Sequence, residues 1–312
     1  MIHRLFVLLL FSALASCSST RGNPAAENAP RAARIVPLAS DRPLIALALG
    51  GGGARGFAHV GVIKALEDAG IVPDIIAGAS SGAVVAALYA SGYGARALED
   101  IAVGLEQGAL LDFTLFGRGW VRGDALQEFV NRAVGNRPIE KLARPFAVVA
   151  TRARDGVMTV FTHGDTGLAV RASASVPNLF VPPLIAGEEY IDGGLTSPVP
   201  VGVARAMGAD IVIAVDVSWF ANARHNGDPT PLARSARRIL LERELEAADV
   251  VITPRTILTR MLDFDYKLEN IAAGELAARA AVPQLQELVA RTAAGKKGIA
   301  RARAQPAAAV AD

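Results

Sequence analysis

Leu44-Ile45-Ala46-Leu47-Ala48-Leu49-Gly50-Gly51-Gly52-Gly53-Ala54-Arg55-Gly56 and, one helix later, Asp74-Ile75-Ile76-Ala77-Gly78-Ala79-Ser80-Ser81-Gly82 decide the reading of this chain. Each glycine motif follows an apolar run. Each also precedes a stretch of helical composition, Phe57 to Ala69 after the first and Ala83 to Leu88 after the second, with Gly92 as a stop. Strand, turn and helix in succession predict parallel strands joined by crossover helices. The second motif reads as a GxSxG elbow. Its sharp turn leaves no room for Cβ atoms beside the serine, which suits Gly78 and Gly82. The turn lifts the Ser80 hydroxyl to the positive end of a helix, where developing negative charge is favoured.

The first motif admits two readings. Gly51, Gly53 and Gly56 fit G-x-G-x-x-G between a strand and a helix, as in a dinucleotide site. Such a site needs an acidic residue at the end of the second strand to grip a ribose hydroxyl. Here that strand ends in Gly78-Ala79-Ser80, and the nearest acid, Asp74, lies at its start. A nucleophile occupies the place of the ribose grip, so the glycine loop reads instead as a source of backbone N–H groups for an oxyanion.

Working outward, the pattern predicts strands at 44–49, 74–78, 146–152, 157–161, 189–191 and 210–216. Helices are expected over 57–69, 82–91, 95–106, 124–134, 166–174 and 200–207, and near 232–248 and 268–292. Leu110 to Val121 is apolar and aromatic without clear period, and reads as a flap, a bilayer-dipping segment or a buried loop. Lys plus Arg number 32 and Asp plus Glu 30, a net charge of +2, which leaves no nucleic-acid footprint.

Four blocks in order resemble the bacterial patatin-like phospholipases. They are Leu47 to Val62, Gly78 to Gly82, Arg171-Ala172-Ser173-Ala174-Ser175-Val176-Pro177, and Tyr190-Ile191-Asp192-Gly193-Gly194. The resemblance implies a three-layer α/β/α fold with a mostly parallel central sheet. It implies hydrolysis of carboxylic esters of lipids through a Ser80–Asp192 dyad, with no metal or other cofactor. The oxyanion hole is then expected from Gly51, Gly52, Gly53, Ala54, Arg55 and Gly56, with Arg55 bracing the loop or assisting the oxyanion.

A serine hydroxyl needs a base within hydrogen-bond reach. An aspartate with an ordinary pKa of about 3.9 is ionised at neutral pH but weakly basic, so partial desolvation is required to raise its basicity. His225 completes the chain order of a Ser-Asp-His triad but lies in a polar stretch, Asn222 to Pro229, that reads as an exposed loop. His59 reads as structural, and His163 sits on a hairpin loop. The readings carried forward are a Ser–Asp lipid acyl hydrolase, a triad esterase using His225, and a non-catalytic nucleotide-binding or scaffold lipoprotein.

Residues 1–16 carry Arg4, an apolar core Leu5 to Leu14 and small residues, a secretory signal pattern too short for a membrane span of about 20 residues. Leu14-Ala15-Ser16-Cys17 resembles a bacterial lipobox, which makes Cys17 the expected lipidated residue and anchors the protein to the cell envelope, facing the periplasm from the outer membrane. Cys17 is the only cysteine, so no intramolecular disulfide forms. Residues 17–43 are expected to be a flexible tether, 44–292 the hydrolase domain and 293–312 a basic, alanine-rich tail. Membrane lipids or other esters are the expected partners.

Overall fold

β1 (Ile45–Leu49) lies at the heart of the sheet, because all its side chains are apolar and both its faces are covered. In a computed structural model, residues 28–115, 119–218, 236–257 and 260–304 are described. The other strands are β2 (Ile75–Ala79), β3 (Phe146–Arg152), β4 (Met158–Phe161), β5 (Leu184–Ile185), β6 (Glu188–Ile191), β7 (Ile211–Val215) and β8 (Val250–Ile252). Their order is β5-β6-β3-β2-β1-β7-β8, with β4 also paired to β3. Pairings from β3 through β2, β1 and β7 to β8 are parallel, whereas β4 and β6 run antiparallel to β3. The sheet is thus mixed but mostly parallel.

Period-two alternation divides β1 between two cores. Ile45, Leu47 and Leu49 point to one face, Ala46 and Ala48 to the other. The first face is covered by α1 (Ala58–Asp68), α2 (Ser81–Ala90) and α3 (Ala95–Gly104), with α4 (Asp124–Ala133) and α5 (Thr166–Ala174) beside them. The second is covered by α6 (Val201–Ala206) and α7 (Ala236–Glu246), through Val201, Val203 and Leu241. That is the three-layer α/β/α arrangement expected from the sequence.

The long α8 (Lys267–Ala304) packs across α1. A Cβ on Gly274 would sit 1.9 Å from the Ala58 carbonyl oxygen, and one on Gly61 1.9 Å from that of Ile271. Two facing glycines let the helix backbones approach this closely.

Several elements depart from expectation. β5 and β8 have two and three residues, too few to show a period. α8 runs to Ala304, past the expected boundary at 292, and Lys296 within it pairs with Asp210 at 2.6 Å. The expected tether is docked over its described part. Arg31 N–H donates to the His163 carbonyl, Leu38 N–H to that of Met207, and Arg42 pairs with Asp74. Isolated backbone bonds of this kind leave no repeating pattern in sequence, which is why the segment read as coil. The signal segment, Cys17 and His225 lie outside the described residues.

Candidate active site

Ser80 stands between the end of β2 and the start of α2, with φ 54° and ψ −129°. For a non-glycine residue this region costs on the order of 1–3 kcal/mol, so surrounding contacts must hold it. Two do so. Ser80 N–H donates to Ser173 Oγ at 2.8 Å. The Gly82 backbone passes so near β1 that a Cβ there would lie 2.2 Å from the Leu49 carbonyl oxygen. Gly78 stands within β2, one residue before the strand's last.

Asp192 follows β6 and is fixed at four points. Its N–H donates to the Ser175 carbonyl at 2.9 Å, and its own carbonyl accepts from Thr151 Oγ1 at 2.9 Å. Oδ1 accepts from Gly194 N–H at 2.8 Å, and Oδ2 accepts from Ser80 Oγ at 2.6 Å. Ser173 and Ser175, at the end of α5, thereby brace serine and aspartate alike. The sequence shows them only as small polar residues within the third block, and Thr151 gives no signal at all.

Burial pushes the Asp192 carboxyl above the ordinary carboxylate range. The Ser80 hydrogen bond, the nearby Arg237 charge and the Gly194 N–H oppose that shift. His59 is fully buried, and desolvation lowers its pKa to about 4, so the ring is neutral at physiological pH. Its Nε2–H donates to the Gly50 carbonyl at 2.8 Å, which makes it a brace for the glycine loop. His163 bonds Thr162 and pairs with Arg31, away from the residues that line the Ser80 cleft.

The glycine loop is itself tied down. The Gly51 and Ala54 amides donate to the Pro198 and Met261 carbonyls, at 3.1 and 2.7 Å, and the Gly52 amide donates to Ser81 Oγ at 3.0 Å. Among the described residues no acceptor meets the Gly53 N–H. Arg55 and Gly56 belong to the following 3-10 turn (Gly53–Phe57), and Arg55 Nε donates to the Val217 carbonyl at 2.9 Å. Arg55 therefore clasps the loop to the segment beyond β7. Burial lowers its pKa, partly offset by Asp216.

A cleft of about 330 Å³ opens over Ser80, bordered by Gly52, Gly53, Asp192, Arg55 and Arg237. Beside it lie two apolar crevices, of about 90 and 110 Å³, whose walls share Gly53, Ala54, Val84, Leu110 and Phe264. The first touches Ser80, and the second continues between α2 and α3 past Leu88, Leu98 and Ile101. The Leu110 to Val121 segment, expected as a flap, a bilayer-dipping segment or a buried loop, contributes Leu110 and Leu111 to these walls. Its Phe113 and Val121 form a bridge, while Phe113, Leu115 and Trp120 are exposed by 71%, 89% and 63%. Phe116, Gly117 and Arg118 lie outside the described residues.

Residues 47–205 match the Patatin-like phospholipase family. An uncharacterized NTE family protein of Mycobacterium tuberculosis is 34% identical over 239 residues, covering 74% of this chain and 64% of that one. Human Patatin-like phospholipase domain-containing protein 6 is 39% identical over 184 residues, covering 55% of this chain and 13% of that one. The chain thus spans less than two thirds of the length of these relatives. VipD from Legionella pneumophila has the same fold, with a TM-score of 0.51 at 16% identity over 82% of this chain and 70% of VipD.

Proposed function

The chain belongs to the patatin-like phospholipase family, and from that premise we propose that it hydrolyses carboxylic esters of lipids through Ser80 and Asp192. The observation that carries the reading is the 2.6 Å hydrogen bond from Ser80 Oγ to Asp192 Oδ2 at a strained elbow. Ser80 Oγ attacks the acyl carbon while Asp192 Oδ2 takes its proton. The carbonyl oxygen becomes an oxyanion, and collapse of the tetrahedral intermediate expels the alcohol, which leaves with the proton held by Asp192. Water then attacks the acyl-serine, gives a proton to Asp192, and the acid departs as that proton returns to Ser80.

The donors for the oxyanion are narrower than the whole loop. The Gly53 N–H supplies one, and Gly52 supplies a second by leaving Ser81 Oγ, since the Gly51 and Ala54 amides already hold carbonyls. A well-placed donor contributes about 2.7–4 kcal/mol to the transition state. The apolar crevices support an acyl chain as the acid portion, because its methylenes leave water there. Exposed Phe113, Leu115 and Trp120, in the segment whose Leu110 and Leu111 line those crevices, together with the Leu14-Ala15-Ser16-Cys17 run, support work at a lipid surface by an envelope protein anchored through Cys17.

Two single variants test the chemistry. Asp192→Asn is expected to lower p-nitrophenyl ester turnover by roughly 10²–10⁴-fold, while His225→Ala leaves it intact. The dyad reading fails if the histidine change alone abolishes turnover. A fluorophosphonate probe should label wild-type protein but not Ser80→Ala. Absence of both labelling and turnover in the wild type would favour a non-catalytic protein. Loss of membrane fractionation in Cys17→Ser is the matching test of anchoring.

A further inference from the structure

Two guanidinium groups border the cleft over Ser80, and Asp192 is the one carboxylate among its described lining residues. The two arginines are not equivalent. Arg55 is buried and committed to the Val217 carbonyl. Arg237, in the first turn of α7, is exposed, and no hydrogen bond or ion pair ties its guanidinium to any described residue. Its position is nevertheless defined. A Cβ built on Gly194 would meet Arg237 Nη2 and Asp192 Oδ1 at 2.9 Å each, so the guanidinium lies against the aspartate loop on the Oδ1 side. Ser80 bonds the other oxygen, Oδ2.

We propose that Arg237 is a subsite for the phosphodiester of a glycerophospholipid and selects such lipids over neutral esters. The substrate class rests on the hydrolase reading above; the anion site does not. The geometry divides the cleft into three places. The apolar crevices under Gly53 take the acyl chain, Ser80 takes the ester carbonyl, and Arg237 faces whatever projects past Asp192 from the alcohol side. In a glycerophospholipid the alcohol portion carries a phosphate only a few bonds from the ester oxygen. An arginine fork pairs with two phosphate oxygens at once, which a neutral glyceride has no group to satisfy. The two Asp192 oxygens accept from Ser80 and Gly194, and neither is hydrogen-bonded to Arg237, so the N–H groups of this fork are not taken up by the carboxylate.

The alternative is that Arg237 acts only on Asp192, whose carboxylate form its charge favours. Binding separates the two. Dodecylphosphocholine carries an alkyl chain and a phosphodiester but no ester, and dodecyl maltoside carries the same chain with a neutral head. In the full chain, Arg237→Gln is expected to weaken dodecylphosphocholine binding, measured below micelle formation, by about tenfold or more. Arg237→Lys should recover part of that loss, and dodecyl maltoside binding should be the same in all three proteins. Equal binding of dodecylphosphocholine by wild type and Arg237→Gln would overturn the proposal, as would parallel weakening of both detergents.

Turnover gives a second readout. The ratio of kcat/KM for a short-chain phosphatidylcholine to that for the corresponding p-nitrophenyl ester should fall about tenfold in Arg237→Gln. A constant ratio, with the acid limb of both pH profiles moved upward, would assign Arg237 to Asp192 alone and sink the phosphate subsite. If the wild type cleaved no ester while the detergent contrast held, the hydrolase reading would fall and the anion site would stand.

Discussion

Ser173 Oγ accepts the backbone N–H of Ser80 at 2.8 Å, across 93 positions of sequence. The bond holds the strained residue from α5, the same helix end whose Ser175 carbonyl holds the Asp192 amide. Ser173→Ala leaves the buried Ser80 N–H without an acceptor and is expected to cost about 1–3 kcal/mol in stability. Turnover should fall further than stability accounts for. Urea unfolding together with steady-state kinetics at a temperature where the variant is fully folded checks this; wild-type kcat in the variant would refute it.

In the proposed reaction Asp192 must be ionised to take the Ser80 proton, and burial raises its pKa above the ordinary carboxylate value. Below that raised pKa the carboxyl is protonated and cannot serve as base. The acid limb of kcat/KM is therefore expected at a pH above about 3.9, with activity rising as pH increases through it. A limb at or below the ordinary aspartate value would contradict the role given to burial.

Glu244 on α7 accepts from Ser197 Oγ and, at 2.8 Å, from the Val199 amide, holding the chain that follows Asp192. Desolvation raises its pKa to about 7. The folded state therefore binds the extra proton, so this group's contribution is full below its unfolded value of about 4.3 and is lost as pH rises towards 7. Glu244→Gln keeps an uncharged acceptor there. Thermal melts from pH 5 to 8 should show a shallower decline for the variant, and an unchanged slope would exclude Glu244 as the cause.

Val84 lies in the walls of both apolar crevices. Val84→Phe fills that space and is expected to lower kcat/KM for hexadecanoyl esters relative to butyryl esters by about tenfold or more. An unaltered chain-length profile would place the acyl chain elsewhere.

Gly274→Ala introduces a Cβ that the α1–α8 contact has no room for and should destabilise the protein by about 1–3 kcal/mol. Gly295→Ala, in the same helix with open space around it, should be neutral or stabilising by about 0.5–1 kcal/mol. Denaturant midpoints for the pair check the contrast, and equal effects would show that close helix approach is not the reason for Gly274.

Local pattern made most of the frame legible. β1, β2, β3 and β7 carry continuous apolar runs because parallel strands are buried on both faces. β5 and β8 were not legible, since two or three residues show no period and their pairing comes from neighbours distant in sequence. The docked stretch 28–43 and the end of α8 were missed for a related reason. Single long-range contacts such as Lys296 to Asp210 hold them, and composition records none of these.

The sequence by itself determined the alternation of strands and helices, the elbow at Ser80 and the glycine loop before it, because these depend on local backbone geometry and on residues adjacent in the chain. The family resemblance pointed to Asp192, but only the tertiary structure decided which of its oxygens meets the serine, which loop amides are already engaged, and that Arg237 faces the same cleft. Those relationships join residues brought together by sheet order and helix docking, and the packing of whole layers sets the distances between them.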